Sequence, residues 1–297
     1  MNRNLDGTGW RVRPIGLGAM QLSIAGRPDE SQAFAVITAF VEAGGNFIDT
    51  ANVYCLDDSD IGHNERLLHK VLTRIGAQDA VLVATKGGLR RPKGAWVTDG
   101  NPEWLRASCE KSLKDLQRNA LPLYHLHAVD PDVPFEESLG ELIRLKEEGK
   151  ILNIGLSNVD RAELKFALGR TAIASVQNRC NPFFKRDFGS GLIGFCQEQG
   201  VAYIPFGPVG GHGGHVRLPK HPLFQRLAKK HATSPYGVAL AWLLEKGNHI
   251  FPIPGASKVS SVRDSARAIH LRLEPDDVAE IDRLPDQEAH SSRTSRV

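Results

Sequence analysis

The sequence predicts an α/β fold in which eight parallel strands, each followed by a helix, close into a (β/α)8 barrel. Short apolar strand patterns alternate with helix patterns along the chain. Because each crossover helix returns the chain to the same edge, such strands pair in parallel. A polar residue or glycine stands at nearly every strand end, where barrel enzymes build their sites. These positions are Gln21, Asp49, Lys86, His127, Ser157, Gln177, Gly207 and Gly255. A doubly wound sheet is the alternative that strand counting leaves open.

The N-terminal segment predicts a short hairpin that leads into the first strand. Residues 11–13 and 15–21, on either side of Pro14, fit the two arms of this hairpin. A helix follows, because Pro28, Asp29 and Glu30 open a segment of apolar periodicity.

The later elements repeat this alternation. The strands are expected to begin near residues 15, 47, 81, 122, 151, 173, 201 and 249. The helices are expected over residues 33–41, 65–73, 102–116, 134–148, 161–168, 191–198, 235–246 and 259–268. No linker interrupts the series, so residues 1–297 are expected to form one domain. Segments 87–101 and 208–222 and the polar tail 286–297 are expected to be mobile, and the first two are candidate lids or binding loops.

Composition excludes several functional classes. The 297 residues are 41% hydrophobic and 24% charged, with a net charge of +3 and no basic stripe, so we expect no nucleic-acid partner. Met1 is followed by polar residues, which predicts neither a signal peptide nor a membrane span. The four cysteines lack CxxC spacing, which favours reduced thiols in the cytoplasm. The sequence predicts no metal site.

Three strand ends and one loop offer groups that handle protons. Asp49 and Lys86 end strand patterns, as does His127, and Tyr54 lies on the loop after the first of these strands. A lysine beside an aspartate can lower the pKa of a neighbouring phenol from its ordinary value of about 10. Each residue alone is more often part of a structural salt bridge or packing contact. His125 shares a face with His127, which is nearer the strand end.

Two later segments have the chemistry of phosphate sites. The glycine-rich stretch 207–215 can wrap a pyrophosphate, although a flexible surface loop has the same composition. Segment 252–258, between the last strand and its helix, suits a phosphate monoester, although Ser257 can equally cap a plain turn. The GxGxxG at 189–194 is not a dinucleotide fingerprint, because no strand precedes it.

Taken together and in order, these motifs resemble those of the aldo-keto reductase superfamily. The resemblance covers roughly residues 10–270. It rests on residues 16–20, Asp49 with Tyr54, 84–87, 126–127, 150–158, 176–179 and 252–255. The variants at 126–131 and 204–206 are most similar to the bacterial group that includes pyridoxal reductase-like enzymes. Where a glycine usually follows the tyrosine, this chain has Cys55.

The resemblance implies a barrel that binds NADP(H) in an extended pose, with Asp49, Tyr54, Lys86 and His127 as its catalytic tetrad. It places Ser157, Asn158 and Gln177 on the carboxamide and Phe206 on the nicotinamide ring. The 207–215 loop would lie over the pyrophosphate, and Ser257, Lys258 and Arg263 near the 2′-phosphate. The full cofactor set expected is Gly18, Met20, Ser157, Asn158, Gln177, Phe206, Gly207, Pro208, Gly210, Gly255, Ser257, Lys258 and Arg263.

The function expected is reduction of an aldehyde or ketone by NADPH, with Tyr54 as general acid. The expected partner is a small-molecule carbonyl or alcohol. An apolar pocket is expected from Met20, Val53, Trp96, Phe183 and Phe184, of which Trp96 and the phenylalanines can equally be loop packing. Two alternatives remain open: a dehydrogenase acting mainly on an alcohol, sugar or lactol, and a cofactor-sensing binding subunit with little turnover.

Overall fold

The computed structural model of this protein describes residues 2–5, 7–211 and 213–286. Its strands are β1 Arg3–Leu5, β2 Trp10–Val12, β3 Leu17–Gly18, β4 Phe47–Asp49, β5 Leu82–Gly87, β6 Leu89–Arg90, β7 Val97–Thr98, β8 Leu123–Leu126, β9 Ile154–Ser157, β10 Ile173–Gln177 and β11 Ala202–Tyr203. Its α-helices are α1 Glu30–Glu42, α2 His63–Arg74, α3 Pro102–Leu116, α4 Phe135–Glu147, α5 Arg161–Leu168, α6 Arg186–Gly189, α7 Leu192–Glu198, α8 Pro222–Lys230, α9 Pro235–Glu245, α10 Val259–Arg267 and α11 Pro275–Asp282.

Seven parallel strands form one sheet, in the order β3, β4, β5, β8, β9, β10 and β11. Segment 250–255 bridges the two edges of this sheet, since Ile250 pairs with Tyr203 of β11 and Gly255 pairs with Gly18 of β3. Pro252 and Pro254 lack N–H groups, so this eighth segment pairs only at isolated positions. The sheet is therefore closed, and the predicted (β/α)8 barrel is confirmed over the doubly wound alternative.

The predicted N-terminal hairpin is confirmed, although its arms begin earlier in the chain than expected. The two arms are β1 and β2, which pair antiparallel, so residues 11 and 12 of the first predicted arm lie in β2, whereas residues 13–21 lead from β2 into the barrel. Leu5 and Val12 are 1% and 0% exposed and pack against Phe47, at the start of β4, in the cluster that fills the barrel. The hairpin therefore covers the N-terminal end of the barrel with apolar side chains, which leaves the polar chemistry to the opposite end.

Short polar side chains set where several helices begin. Asp29 accepts a hydrogen bond from the backbone N–H of Gln32 at the start of α1, and Asp160 forms a capping box with Glu163 at α5. Helices α3 and α5 have the bounds that the sequence predicts. Helices α8 and α11 were missed, as was the small hairpin of β6 and β7 inside segment 87–101.

The missed helices do carry a sequence signal. Both begin with a proline at the first helical position, which suits a helix start. In α8 the buried residues Phe224, Leu227 and Ala228 also have helical spacing. In segment 208–222, His215–Lys220 is a short 3-10 helix. Of the predicted mobile tail, residues 287–297 lie outside the described residues.

Neither a membrane-spanning helix nor a cluster of metal ligands occurs among the described residues. No helix in ranges 2–5, 7–211 and 213–286 has the length and hydrophobicity required to cross a membrane. In the same ranges, no three His, Cys, Asp or Glu side chains are grouped as metal ligands would be. The four cysteines, Cys55, Cys109, Cys180 and Cys196, are buried and form no disulfide.

Candidate active site

The centre of the polar end of the barrel is Lys86, near the end of β5. Its side chain is fully buried, and Nζ donates three hydrogen bonds: to Oδ2 of Asp49 (2.7 Å), to the carbonyl oxygen of Thr50 (2.8 Å) and to the hydroxyl of Tyr54 (2.9 Å). In the parallel register Asp49 lies opposite Ala84, so β5 continues past β4 and its Lys86 reaches the loop that carries Tyr54. The predicted convergence of Asp49, Tyr54 and Lys86 is therefore present.

The second oxygen of Asp49 is bonded from the far side of the barrel. Nε2 of Gln177, at the end of β10, donates to Oδ1 of Asp49 at 2.7 Å. Both carboxylate oxygens therefore have a donor, and the orientation of the carboxylate towards Lys86 is fixed. The sequence predicted Gln177 only as a cofactor contact, so this link to Asp49 is an additional role.

The buried pair and the phenol shift one another's protonation. Burial raises the pKa of Asp49 and lowers the pKa of Lys86, and the attraction and hydrogen bond between them oppose both shifts. Burial, and then the charge of Asp49, raise the pKa of Tyr54 well above its ordinary value. This direction is opposite to the lowered phenol pKa that the sequence led us to expect, because loss of water and a nearby carboxylate both disfavour a phenolate.

His127 completes the group beside the phenol. Its ring meets the Tyr54 ring edge to face, with centroids 5.9 Å apart. Burial, the charge of Lys86 and the neighbouring His125 lower the pKa of His127 well below its usual range, so the imidazole is neutral. His125 instead bonds Ser175 inside the barrel through Nε2 at 2.9 Å, and burial lowers its pKa to about 3. His127 is therefore the histidine that borders Tyr54, as predicted.

An apolar wall stands next to Tyr54. Met20, Val53 and Trp96 pack with it in one cluster, and the Trp96 ring lies 6.3 Å from the Tyr54 ring. The other two predicted pocket residues lie elsewhere. Phe183 packs against Phe224 of α8 at 5.8 Å, and the Phe184 ring lies under the guanidinium of Arg179. Three of the five predicted pocket side chains are thus brought together at the phenol.

Ser157, Asn158 and Gln177, which are predicted to contact the nicotinamide carboxamide, lie at the ends of strands β9 and β10. Nδ2 of Asn158 bonds the carbonyl of His127 (3.0 Å) and the hydroxyl of Ser157 (3.3 Å). Asn158 has a φ of 57°, and its backbone N–H bonds the carbonyl of Gln177, which turns the chain at the end of β9. Phe206 is half-buried at the edge of the barrel cluster. Asn158 is thus hydrogen-bonded to His127 and to Gln177, at the ends of the two neighbouring strands.

The first predicted phosphate-binding segment is the glycine-rich loop that follows Phe206. Gly207 and Gly210 have φ values of 58° and 107°, on either side of Pro208, and a Cβ on Gly210 would lie 2.7 Å from backbone atoms of Gly214. Only glycine fits at position 210 of this tight loop, where the backbone N–H of Gly210 donates to the carbonyl oxygen of Gly207 at 3.0 Å.

The segment before α10 carries two further predicted phosphate contacts. Ser257 and Lys258 are exposed, and Lys258 is the N-cap residue of α10. Gly255 closes the barrel against Gly18, as described above. Arg263 lies further along α10, in a surface groove between α10 and α1. An exposed ammonium at the N-terminus of a nine-residue helix is suited to a phosphate monoester.

Sequence reasoning missed one charged residue near the phenol. Arg91 follows β6, is 4% exposed, and has its guanidinium carbon 3.8 Å from the centroid of the Trp96 ring. An isolated arginine in a loop has no periodicity, so nothing in the sequence separates it from the exposed Arg90 beside it.

Residues 14–286 match the sequence model of the aldo/keto reductase family. The chain belongs to the aldo/keto reductase family. Among its relatives is "Probable aldo-keto reductase 1" of Glycine max, which is 33% identical over 302 residues, covering 92% of this chain and 85% of the relative.

Solved aldo-keto reductases have the same fold. The thermostable enzyme Tm1743, bound to the inhibitor epalrestat, superposes with a TM-score of 0.80 at 25% identity, covering 95% of this chain and 98% of that one. An aldo/keto reductase of Klebsiella pneumoniae in complex with NADP and acetate gives a TM-score of 0.79 at 26% identity, covering 96% of each chain. The family assignment agrees with the resemblance identified from the sequence motifs.

Proposed function

We propose that this aldo/keto reductase reduces an aldehyde or ketone to an alcohol with NADPH, and that Tyr54 is the general acid. The observation that carries the proposal is the 2.9 Å contact between Nζ of Lys86 and the Tyr54 hydroxyl. That contact lies at the rim of the barrel, where the side chains predicted to hold the cofactor also lie. It joins a proton donor to a cation that can stabilise the phenolate left behind.

The residues of the rim fit a phosphorylated dinucleotide. Lys258 and Arg263 supply cations near the start of α10 for a 2′-phosphate, and the glycine-rich turn at Gly207 and Gly210 lets a pyrophosphate approach the backbone closely. Ser157 and Asn158 supply polar groups for the carboxamide, with Gln177 as a third contact. The NADP complex of the Klebsiella pneumoniae relative supports this choice of cofactor. When bound, NADPH supplies the hydride.

Tyr54 holds the proton that the reduction consumes. Because burial raises the pKa of its phenol, the hydroxyl stays protonated at neutral pH and is ready to donate. The alkoxide that forms on the substrate is a much stronger base than a phenolate, so the proton moves downhill. Lys86 then stabilises the phenolate through its hydrogen bond, and Asp49 keeps Lys86 oriented.

His127 orients the carbonyl oxygen of the substrate. The ring is neutral, so it contributes a hydrogen bond without competing with Tyr54 as a proton source. Its Nδ1 is buried and has no hydrogen-bond partner among the described residues. A substrate beside the phenol therefore meets two neutral groups, Tyr54 and His127, while the cation of Lys86 stays buried in contact with the Tyr54 hydroxyl.

The compartment we propose is a reducing one such as the cytoplasm. The four buried cysteines form no disulfide, as expected where disulfides do not persist. Small-molecule carbonyls with apolar or aromatic groups suit the wall of Met20, Val53 and Trp96.

The test is Tyr54→Phe, measured as NADPH consumption with a panel that includes 4-nitrobenzaldehyde, 4-carboxybenzaldehyde and aliphatic ketones. We expect kcat to fall about 100-fold or more, the scale of a lost general acid, while NADPH affinity is unchanged. Tyr236→Phe, a partly buried tyrosine on α9, is the matched control and should keep full activity. Unchanged turnover in Tyr54→Phe would exclude the role of Tyr54.

The cofactor preference has a separate test at Lys258. Lys258→Ala removes the ammonium proposed to face the 2′-phosphate, so NADPH affinity should fall about 10-fold or more while NADH affinity changes little. Fluorescence titration with both nucleotides measures the two affinities. Lys229→Ala, at an exposed lysine on α8, controls for a general change in surface charge. Equal losses for NADPH and NADH would contradict the assignment.

A further inference from the structure

Arg91 is buried beside the loop that carries Tyr54, and no ion pair explains it. It is 4% exposed, and no carboxylate of the described residues forms a contact ion pair with its guanidinium, although its charge attracts the carboxylate of Asp57 in the neighbouring loop. Two of its nitrogens, Nε and Nη1, are buried without a hydrogen-bond partner there. Burying a cation without a counter-ion is costly. The contacts that it does make therefore indicate what the residue is for.

Those contacts tie two segments together. Nη2 of Arg91 donates to the carbonyl oxygens of Cys55 (3.2 Å) and Leu56 (3.1 Å), the two residues directly after Tyr54. The flat face of the guanidinium stacks on Trp96 at 3.8 Å, and Trp96 meets the Tyr54 ring edge to face. Arg91 thus supports the Tyr54 loop through the backbone behind it and the aromatic ring beside it.

The loop has a second internal support at Cys55. Its thiol is fully buried and contacts the carbonyl oxygens of Val53 (3.3 Å) and Asp57 (3.1 Å). The chain on either side of Cys55 is thus tied to the thiol, and Arg91 contacts the carbonyls of Cys55 and Leu56. The phenol at position 54 has its hydroxyl 2.9 Å from Lys86, so a shift of this loop would lengthen that contact.

We propose that Arg91 is a positioning residue that holds Tyr54 in reach of Lys86. The inference rests on the proposed function, in which the distance from the Tyr54 hydroxyl to Lys86 governs proton transfer. Displacements of about 1 Å at a reacting group lower rates by about 100-fold. Arginine is required for this role because a planar guanidinium can stack on an indole while its N–H groups bond two carbonyls, which a lysine cannot do.

Arg90 is a matched control one residue away. Its guanidinium also stacks on a tryptophan, Trp104, at 3.8 Å. Unlike Arg91, it forms an ion pair with Asp99, and its side chain is 47% exposed. Arg90→Met therefore makes the same chemical change beside the site without touching the Tyr54 loop, and kcat should stay within twofold of the wild type.

The experiment measures kcat, KM and NADPH affinity for Arg91→Met and Arg91→Lys. We expect Arg91→Met to lower kcat about 10-fold while NADPH affinity stays within twofold, with Arg91→Lys between Arg91→Met and the wild type. Unchanged NADPH binding shows that each variant is folded, so Arg91→Lys still tests the proposal where Arg91→Met does not fold. A wild-type kcat in folded Arg91→Met would overturn it.

A double mutant tests whether Arg91 acts through the phenol. In a Tyr54→Phe background there is no hydroxyl to position, so adding Arg91→Met should lower the residual kcat by less than twofold. If the loss of kcat in the double mutant equals the product of the losses in Tyr54→Phe and Arg91→Met, the proposal is overturned. A wild type with no carbonyl turnover would instead contradict the proposed function, which separates the two failures.

Paired substrates exclude a role in binding the substrate itself. With 4-nitrobenzaldehyde and 4-carboxybenzaldehyde, a positioning residue should produce the same fold-loss in kcat/KM for both. A loss confined to the carboxylate substrate would overturn positioning and assign the unpartnered N–H groups of Arg91 to substrate anions.

Discussion

The two faces of strand β5 each bury a carboxyl group, and the two groups are handled differently. On the inner face, Asp49 receives hydrogen bonds from Lys86 and Gln177 on its two oxygens. On the outer face, Glu65 of α2 receives one bond from the hydroxyl of Thr85 at 2.6 Å, and its Oε2 has no partner among the described residues. Thr85 and Lys86 are neighbours in the chain, so one residue step separates the two environments.

The difference shows what a buried acid needs in order to stay charged. Burial raises the pKa of Glu65 to about 7, and the hydroxyls of Thr85 and of Ser112 on α3 oppose this only in part. Asp115 and Lys111 of α3 act on Glu65 with opposite signs. Near neutral pH Glu65 can therefore bind a proton, whereas Asp49 has a full cation in contact. A cation is kept on the face of the strand where the chemistry occurs.

The largest expected effect comes from breaking the inner pair. Lys86→Met removes the cation and leaves Asp49 buried and unpaired, so we expect a loss of about 3–5 kcal/mol in the free energy of unfolding. Turnover should fall by about 100-fold or more, because nothing then stabilises the phenolate. Urea denaturation and NADPH consumption measure the two effects.

The double variant Lys86→Met/Asp49→Asn is the control for the inner pair. Removing the second charge should restore most of the stability without restoring turnover. If the double variant is no more stable than Lys86→Met alone, the loss did not come from an uncompensated Asp49. Stability and activity would then have to be explained by packing of the lysine stem.

The second effect is a pH dependence on the outer face. The pKa of Glu65 is raised to about 7 in the folded protein from an ordinary value of 4.5, so the folded state holds a proton that the unfolded state releases. Folding stability therefore falls as pH rises from about 4.5 to about 7, by up to about 3 kcal/mol. Glu65→Gln removes that loss, so its stability relative to the wild type should be higher at pH 8 than at pH 4. Urea denaturation at the two pH values measures this.

Glu141→Gln is the matched control for the outer face. Glu141 is also buried, at 3% exposed, but it forms ion pairs with Arg106 and Arg144. Replacing Glu141 by Gln removes both ion pairs and should destabilise the protein at pH 8. The gain in relative stability from pH 4 to pH 8 that is expected of Glu65→Gln should therefore be absent. A Glu65→Gln variant whose relative stability is the same at pH 4 and pH 8 would show that Glu65 does not titrate in this range.

The sequence predicted the buried charges on the inner face of β5, but the buried Glu65 on the outer face was not predicted. Parallel strands of a barrel end at one rim, so Asp49, Lys86 and His127 were predicted to converge from their positions at strand ends alone. Glu65 did carry a signal that was passed over. It lies three residues before Leu68 and seven before Leu72, on the buried stripe of α2.

Other features depend on contacts that local sequence does not encode. The hairpin of β1 and β2 is held by packing of Leu5 and Val12 on the barrel interior, so its place follows from the closed barrel. The raised pKa of Tyr54 follows from burial, which a sequence pattern does not measure. The pairing of segment 250–255 could be placed because strand counting required an eighth strand, although two prolines reduce its hydrogen bonding.

The smallest expected effect comes from removing the Thr85 hydroxyl on the outer face of β5. Thr85→Val removes the donor to Glu65 while keeping the shape of the side chain, so stability should fall by about 1–2 kcal/mol, the usual loss for a buried acceptor left without its partner. Turnover should stay within twofold of the wild type, because Thr85 points away from Lys86 and the Tyr54 loop. In a Glu65→Gln background, the stability lost on adding Thr85→Val should differ from the loss in the wild-type background. The acceptor of the Thr85 hydroxyl is then an amide oxygen instead of a carboxyl oxygen. A large fall in turnover in Thr85→Val would mean that the outer face controls Lys86 directly, and the contrast between the two faces of β5 would fail.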